Sequence, residues 1–180
     1  MSGPVNLGLK ANLNLLVAYD PLWPAAFEEE KTRLAQALGR LAKGIEHYGS
    51  TAVPGLCAKP ILDIMVGVSP LSDWEKCQPA LEAMAYDYAE GAGVPEHYIL
   101  GRGRDRTERT HLVHVVEYQG ESWRGSLAFR DALRRDARLR ASYAQEKERA
   151  AAAAPGNRAA YNQQKGPFIA EAIQKLSGGR

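Results

Sequence analysis

The stretch that decides the fold is residues 44–66, GIEHYGSTAVPGLCAKPILDIMV, where two strand-like runs flank a loop of Gly, Ser, Thr, Pro and Lys. Residues 45–48 alternate between apolar and polar side chains, which is typical of a half-buried strand. Residues 60–68 are almost entirely apolar apart from Asp63, which is typical of a fully buried strand. Because an unpaired buried charge is costly, we expect Asp63 to meet a cation, a metal ion or hydrogen-bond donors.

The loop between these runs has the residue types of an anion-binding turn. Gly49 and Gly55 permit backbone geometries that other residues avoid, while Ser50 and Thr51 offer hydroxyl groups. Lys59 adds a mobile positive charge at the far end of the loop. These features predict a phosphate site, and a tight structural turn with a solvated lysine is an alternative of similar weight.

The length and charge of the chain limit the classes to which it can belong. Its 180 residues suit one domain, and we expect residues 1–12 to be flexible and residues 13–180 to form that domain. No apolar run approaches the roughly 20 residues that cross a bilayer, and no secretion signal opens the chain, so we expect a cytoplasmic protein without a membrane partner. The formal net charge of +2 indicates no general affinity for nucleic acid.

Arginines are concentrated in two parts of the second half. If they converge on the loop after residue 48, they favour a phosphorylated small molecule as the ligand, whereas an exposed stripe would favour RNA or DNA. A solvated surface balanced by acidic residues is the third interpretation. The arginines concerned are Arg102, Arg104, Arg106, Arg109, Arg124, Arg130, Arg134, Arg135, Arg138 and Arg140.

The two cysteines, Cys57 and Cys77, are too few for a disulfide scaffold and do not have metal-ligand spacing. Cys57 lies in the loop, where a packed thiol is a better interpretation than a nucleophile because no base is assigned to it. Cys77 lies on the apolar side of a predicted helix, so we expect it in the core.

Hydrophobic periodicity predicts an α+β fold. A helix that begins near Pro24 is followed by the two strands described above, and a second helix begins near Ser69 or Ser72 and ends at the glycines of residues 90–93. Further strands are predicted at residues 13–19, 97–100 and 111–118. The predicted buried residues are Trp23, Phe27, Leu34, Leu38 and Leu41 in the first helix, and Leu71, Trp74, Cys77, Leu81, Met84 and Tyr88 in the second.

The remainder of the chain is predicted to be helical. Asp136 is the expected N-cap of one helix, Pro155 and Gly156 end it, and Pro167 should kink or restart the last one. We therefore expect a small mixed sheet within residues 13–118, covered by helices, and a C-terminal helical region at residues 119–180.

With these residues set out, the chain resembles the GrpB-like family, whose members resemble the nucleotidyltransferase superfamily. The resemblance runs through most of the chain. It rests on Tyr19 to Pro21, Trp23, Pro24, Phe27, Ile45 to His47, Gly49 to Leu56, Lys59, Pro60, Asp63, Arg109 to His111, His114, Val115, Phe129 to Asp131, Leu133, Arg134, Tyr143, Lys147, Tyr161 and Lys165.

The superfamily resemblance implies a Gly-Ser turn that grips a triphosphate, followed on the next strand by two acids that bind divalent metal ions. Gly49, Ser50 and Asp63 fit this pattern. The second acid is absent, because Ile61 and Met65 occupy the two positions at which it could stand. Since two-metal catalysis needs several oxygen ligands, this departure weakens the expectation of transferase activity.

Other side chains were considered as replacement metal ligands. Glu46, His114 and Glu117 are the candidates, and His111 should lie on the opposite side of its strand from His114. Mg²⁺ or Mn²⁺ is the expected ion, although histidine beside a carboxylate suits Mn²⁺, Zn²⁺ or Fe²⁺ better than Mg²⁺. A buried hydrogen-bond network formed by Glu46, Asp63 and His114 is the alternative to a metal site.

The C-terminal basic residues that match the family pattern are Arg130, Lys147 and Lys165. They are expected to close over nucleotide phosphates from the helical side, or alternatively to tie helices to the sheet. An enzyme would use Asp63, Lys59 and Arg130 to transfer a nucleotidyl group. A binding module would keep the phosphate grip alone, and the resemblance suggests a link to coenzyme A biosynthesis for such a module.

Overall fold

The computed structural model describes residues 4–11, 13–89, 95–105 and 107–178, which form seven β-strands and five α-helices. The strands are β1 (Leu9–Lys10), β2 (Gly44–Tyr48), β3 (Leu62–Val68), β4 (Asp87–Tyr88), β5 (Tyr98–Arg102), β6 (Glu108–Arg109) and β7 (His111–Glu117). The helices are α1 (Trp23–Leu38), α2 (Trp74–Ala83), α3 (Glu121–Arg135), α4 (Ala137–Ala153) and α5 (Arg158–Gly178). Among the described residues, no helix combines the length and the apolar character needed to cross a bilayer.

A five-stranded mixed sheet in the order β2-β3-β7-β5-β4 lies at the centre of the fold. β3 and β7 run parallel to each other, whereas the other neighbouring strands are antiparallel. β1 and β6 form a separate two-stranded ribbon. The predicted α+β class with a small mixed sheet is therefore confirmed, and β3, which carries Asp63, is flanked by β2 and β7.

Helices α1 and α2 cover one face of the sheet. The aliphatic side chains of β3 on this face, among them Leu62 and Ile64, pack with Trp23 and Leu34 of α1 and with Leu81 of α2. The stripe predicted for α1 is confirmed, with Leu41 only partly buried. In α2, Cys77 and Leu81 are buried as predicted, whereas Leu71, Trp74 and Met84 are partly buried and Tyr88 lies in β4.

The opposite face of the sheet carries Asp63, because successive side chains of a strand point to opposite sides. His114 of β7 shares this face, and Met65 packs there against Trp123 of α3. Further along the chain, α3, α4 and α5 pack on one another through a second apolar cluster that includes Phe129. The C-terminal helices are therefore placed on the same side of the sheet as Asp63.

The N-terminal part of the chain differs from the prediction. Residues 4–11, which we expected to be flexible, pack on the domain: Leu9 is buried in β1, and the indole nitrogen of Trp23 donates to the carbonyl oxygen of Asn6. The strand predicted at residues 13–19 is reduced to one bridge between Val17 and Ala58. Tertiary contacts decide both outcomes, because neither segment has a strong pattern of its own.

Helix ends also differ in two places. α2 ends at Ala83, and Ala85 follows with a positive φ of 66°, so the chain turns early enough to form β4. The glycines proposed as its end, at residues 91 and 93, lie outside the described residues. α5 continues through Pro167, since Phe168 and Ile169 pack on the neighbouring helices and help to offset the lost hydrogen bond. The predicted Asp136 cap is confirmed by its acceptance of two backbone amides.

Candidate functional site

The turn after β2 lies directly against Asp63. Tyr48 and Asp63 are paired across β2 and β3, and Gly49 follows with a φ of 70°. A Cβ atom at Gly49 would lie 2.7 Å from the Oδ2 atom of Asp63, which is closer than Cβ atoms normally approach another heavy atom. Only glycine therefore fits here, for reasons of both conformation and space.

The two hydroxyl groups after Gly49 already have partners within the protein. Thr51 is 1% exposed, and its Oγ1 atom lies 2.9 Å from the Nε2 atom of His47. The Ser50 side chain interacts with the Tyr143 side chain of α4. The predicted phosphate-binding role of the Thr51 hydroxyl is therefore corrected, and the Ser50 hydroxyl also anchors the turn to α4.

Asp63 is partly open to solvent and lies near several positive charges. Its side chain is 32% exposed, and its Oδ1 atom lies 3.6 Å from the Nε2 atom of His114. Burial opposes ionisation of Asp63, but the interactions with His114, Lys165 and Lys59 outweigh it and lower the pKa of the carboxyl group. The distance to His114 is longer than a hydrogen bond, so we treat this interaction as electrostatic.

Two of the predicted phosphate-binding lysines, Lys59 and Lys165, contact the same aromatic ring. Their Nζ atoms lie 4.2 Å and 4.8 Å from the ring centroid of Tyr161. Lys59 also approaches the Oδ1 atom of Asn14 at 3.4 Å. Burial and the charges of Lys165 and Arg158 lower the pKa of Lys59 to about 7, so a nearby anion would favour its charged form.

Lys147 of α4 is the most deeply buried of these cations. It is 1% exposed, and its Nζ atom donates to the carbonyl oxygen of Cys57. Burial lowers the pKa of Lys147 to about 7, and Lys165 contributes to this shift while Asp63 opposes it. Lys59, Lys147 and Lys165 thus all interact electrostatically with Asp63, and their phosphate-binding role stays a prediction.

Arg158 at the start of α5 joins this group, although the sequence did not indicate it. It interacts electrostatically with Asp63, and its Nε and Nη2 atoms are buried without a hydrogen-bond partner among the described residues. Asp63 therefore faces four cationic side chains. We call Asp63, Lys59, Lys147, Arg158 and Lys165 the Asp63 pocket.

Arg130 and Glu46 have a different arrangement from the one predicted. Arg130 donates to Glu46 at 2.8 Å, to the carbonyl oxygen of His47 at 2.8 Å and to Asp131 at 2.8 Å. The bonds to Glu46 and His47 tie α3 to β2, and the bond to Asp131 lies within α3. The geometry favours the alternative of a tie between helix and sheet, while the catalytic role of Arg130 and the metal-ligand role of Glu46 stay untested predictions.

The residues present do not fit a preformed site for two metal ions. Glu117 lies five residues along β7 from the position paired with Asp63, about 16 Å at the usual rise of a strand, and its side chain points to the opposite face. Met65 is fully buried. Within the described ranges, no three His, Cys, Asp or Glu side chains are grouped as metal ligands. The Glu117 prediction is therefore wrong, and Asp63 and His114 remain as a pair.

Arg158 is a residue of the site that sequence reasoning missed, whereas Lys165 was predicted and Tyr161 belonged to the family pattern. Arg158, Tyr161 and Lys165 have the spacing i, i+3, i+7, which places them on one side of a helix. This spacing could have indicated a functional helix face. Asn14 was missed for a different reason, since its contacts with Ala154 and Asn157 join segments that are distant in the chain.

Comparison with known proteins places the chain among its relatives. A family model described as GrpB protein matches residues 15–175. The glutamate-rich protein GrpB of Alkalihalophilus pseudofirmus is 32% identical over 173 residues, which cover 94% of this chain and 99% of that protein. A dephospho-CoA kinase of Mycolicibacterium paratuberculosis is 30% identical over 89% of this chain, and the match spans 45% of the kinase.

Two solved structures were matched, and the first of them shares the fold of this chain. The crystal structure of the conserved protein GrpB from Enterococcus faecalis matches with a TM-score of 0.77 and 32% identity, over 90% of this chain and 96% of that one. The Cid1 poly(U) polymerase matches with a TM-score of 0.46 and 14% identity, over 74% of this chain and 44% of that one.

Proposed function

The chain belongs to the GrpB protein family, and we propose that this member binds a nucleotide or another phosphorylated small molecule in the Asp63 pocket. The observation that carries this proposal is the excess of positive charge there. Lys59, Lys147, Lys165 and Arg158 face the single carboxylate of Asp63. A buried excess of cations is unfavourable unless an anion offsets it.

The position of the pocket supports a small ligand. Gly49 brings the backbone of the turn against one side of Asp63, and α4 and α5 supply the cations from the other elements. Phosphate oxygens would accept charge-assisted hydrogen bonds from the lysines, which are stronger than neutral ones. Coenzyme A and dephospho-CoA belong among the ligands to test, because part of a dephospho-CoA kinase is similar to this chain.

Metal-dependent transfer of a nucleotidyl group is the second candidate function. Its support is the contact between the Gly49 turn and Asp63, with His114 on the other side of the carboxylate. Because this arrangement offers one carboxylate, we propose that Mg²⁺ or Mn²⁺ would enter with the phosphates of the ligand. A cytoplasmic location and the absence of a nucleic-acid partner stay predictions of the sequence.

Ligand-dependent thermal unfolding tests the proposed function. Protein treated with EDTA would be heated with ATP, ADP, pyrophosphate, coenzyme A or dephospho-CoA, each with and without Mg²⁺ or Mn²⁺. A ligand present at about 100 times its Kd adds about 2.7 kcal/mol, which raises the Tm by roughly 5 to 10 °C for a chain of this length. We expect at least one phosphorylated ligand to do so.

Two variants of α5 provide the matched comparison. Lys165→Met removes a cation of the Asp63 pocket and should abolish most of the ligand-induced shift. Lys175→Met is the control, since Lys175 is 74% exposed and pairs with Glu171 on the surface. Equal shifts in both variants, or no shift with any phosphorylated ligand, would overturn the proposal.

A further inference from the structure

Arg158 has hydrogen-bond donors that nothing in the described structure satisfies. Its Nε and Nη2 atoms are buried and without a partner. Buried polar atoms are nearly always hydrogen-bonded, and an unsatisfied charged group is the most costly exception. Such an exception in a cationic pocket indicates that the protein is built to receive an acceptor from outside.

The two unsatisfied atoms lie on the same edge of the guanidinium group. The N–H bonds of Nε and Nη2 are parallel there, so this edge matches two oxygen atoms of one phosphate or carboxylate group. A single lysine cannot reproduce this arrangement, because its ammonium group is a point charge. This edge of the guanidinium therefore fits an acceptor with two neighbouring oxygens.

The charges around Arg158 indicate which acceptor fits best. Asp63 attracts it, and Arg109 repels it. Arg109 is itself held by Asp87, with both contacts at 2.6 Å, so that carboxylate is engaged elsewhere. The positive charges of Lys59 and Lys165 also interact with Arg158. A phosphate monoester carries close to two negative charges at neutral pH, whereas a carboxylate carries one, so the phosphate offsets this excess better.

The helix places Arg158 beside the other ligand-binding side chains. Arg158 and Lys165 are seven residues apart on α5, which is about two turns, and Tyr161 lies between them on the same side. Tyr161 is 1% exposed and contacts Lys59 and Lys165. Its burial fixes the orientation of this side of the helix toward the Asp63 pocket.

We propose that Arg158 binds a terminal phosphate group of the ligand through its Nε and Nη2 atoms, with Lys59 and Lys165 beside that phosphate. This inference rests on the proposed function, and it adds a binding residue and a ligand class. A terminal phosphate, as in a phosphate monoester or at the end of a diphosphate or triphosphate, has the free oxygens that the guanidinium edge requires. A phosphodiester that is esterified on both sides is a poorer match.

Calorimetric titration of metal-free protein with pyrophosphate, inorganic phosphate and acetate at constant ionic strength tests this assignment. Arg158→Lys keeps the charge and removes the paired donors, so we expect pyrophosphate to bind about 10 to 100 times more weakly. Arg149→Lys is the matched control, because Arg149 is 75% exposed on the neighbouring helix, and it should leave the affinity unchanged. Acetate should bind much more weakly than phosphate to the unchanged protein.

A second variant separates ligand binding from a structural role. Arg158→Met should leave the free protein at least as stable as the unchanged one, because the removed donors had no partner, and it should lose the pyrophosphate-induced rise in Tm. Unchanged pyrophosphate affinity in Arg158→Lys would overturn the role assigned to Arg158 but not the proposed function. Failure of the unchanged protein to bind any phosphorylated compound would overturn the proposed function, and acetate binding as tightly as phosphate would overturn the ligand class.

Discussion

Two clusters of buried charged side chains lie on opposite faces of the sheet, and they differ in how completely they are paired. On the α1 face, Glu30 is 3% exposed and accepts hydrogen bonds from Tyr86 at 2.8 Å, Arg102 at 2.8 Å and Arg33 at 2.9 Å. Arg102 also approaches His111. We call these five residues the Glu30 network. It links α1 to β5 and β7, and its charges have partners of opposite sign.

The side chains around Asp63, on the other face of the sheet, are less completely paired. Among the residues that the structure describes, three buried side-chain nitrogen or oxygen atoms have no hydrogen-bond partner. They are Nε2 of His114 and the Nε and Nη2 atoms of Arg158, and all three belong to side chains that surround Asp63. The two clusters therefore differ in pairing and not in burial, and the unpaired atoms near Asp63 are the reason for placing the proposed ligand there.

The largest effect is expected from breaking the Glu30 network. Glu30→Gln removes the charge that compensates Arg102, and we expect the free energy of unfolding to fall by about 3 to 5 kcal/mol. Glu29→Gln on the exposed side of α1 is the control and should change it little. Urea unfolding measures both values. Binding of phosphorylated ligands by the folded variant should remain, and its loss would show that the two clusters are coupled.

A substitution of Asp63 is expected to lower stability by a smaller amount and to retain or increase the affinity for phosphorylated ligands. Asp63→Asn removes the one negative charge, so the free energy of unfolding should fall by about 1 to 3 kcal/mol. In EDTA, the affinity for pyrophosphate should be retained or increased, because the carboxylate repels the ligand. Calorimetric titration checks this, and loss of metal-free binding would contradict it. A metal-dependent gain that disappears in the variant would instead support the transferase candidate.

The smallest expected effect is that stability and ligand affinity change in opposite directions as the pH rises. The pKa values of Lys59 and Lys147 are lowered to about 7 from 10.5, so between these values the unfolded chain holds more protons than the folded protein. The free energy of unfolding of the free protein should therefore rise as the pH increases above 7. Affinity for phosphorylated ligands should fall over the same range, since the lysines lose their charge.

Urea unfolding measures the trend in stability, and calorimetric titration measures the trend in affinity. Both would be carried out at about pH 6.5, 7.5 and 8.5, which span the lowered pKa values of the two lysines. Lys147→Met should weaken the pH dependence of stability, because one of the two shifted lysines is removed. Parallel trends in stability and affinity would contradict the proposed role of the lysines in binding.

Local pattern was sufficient for much of the fold. The apolar spacing of Trp23, Phe27 and Leu34 predicted α1 because a helix must bury one side, and the apolar run around Asp63 predicted a central strand. Asp136 was recognisable as a cap from its short acceptor side chain. By contrast, β4 could not be predicted, because it has two residues and depends on pairing with β5.

The candidate site was predictable where residue type alone restricts the choice. Gly49 and Asp63 stood out because a glycine turn and a lone acid in an apolar strand each need an explanation. Residue type could not show which of Arg130 and Arg158 has free hydrogen-bond donors, since both are arginines on helices. The difference lies in their partners: Arg130 meets Glu46, and the Nε and Nη2 atoms of Arg158 meet none among the described residues.

The sequence by itself determined the family, the α+β class and the turn at Gly49, because these follow from local pattern and from residue types with few conformational options. Only the tertiary structure decided which charges are paired. It brought Lys59, Lys147 and Lys165 to Asp63 from three separate elements, and it placed Glu117 on the opposite face. Electrostatic pairing depends on distances between segments remote in the chain, and those distances exist only after the helices have packed on the sheet.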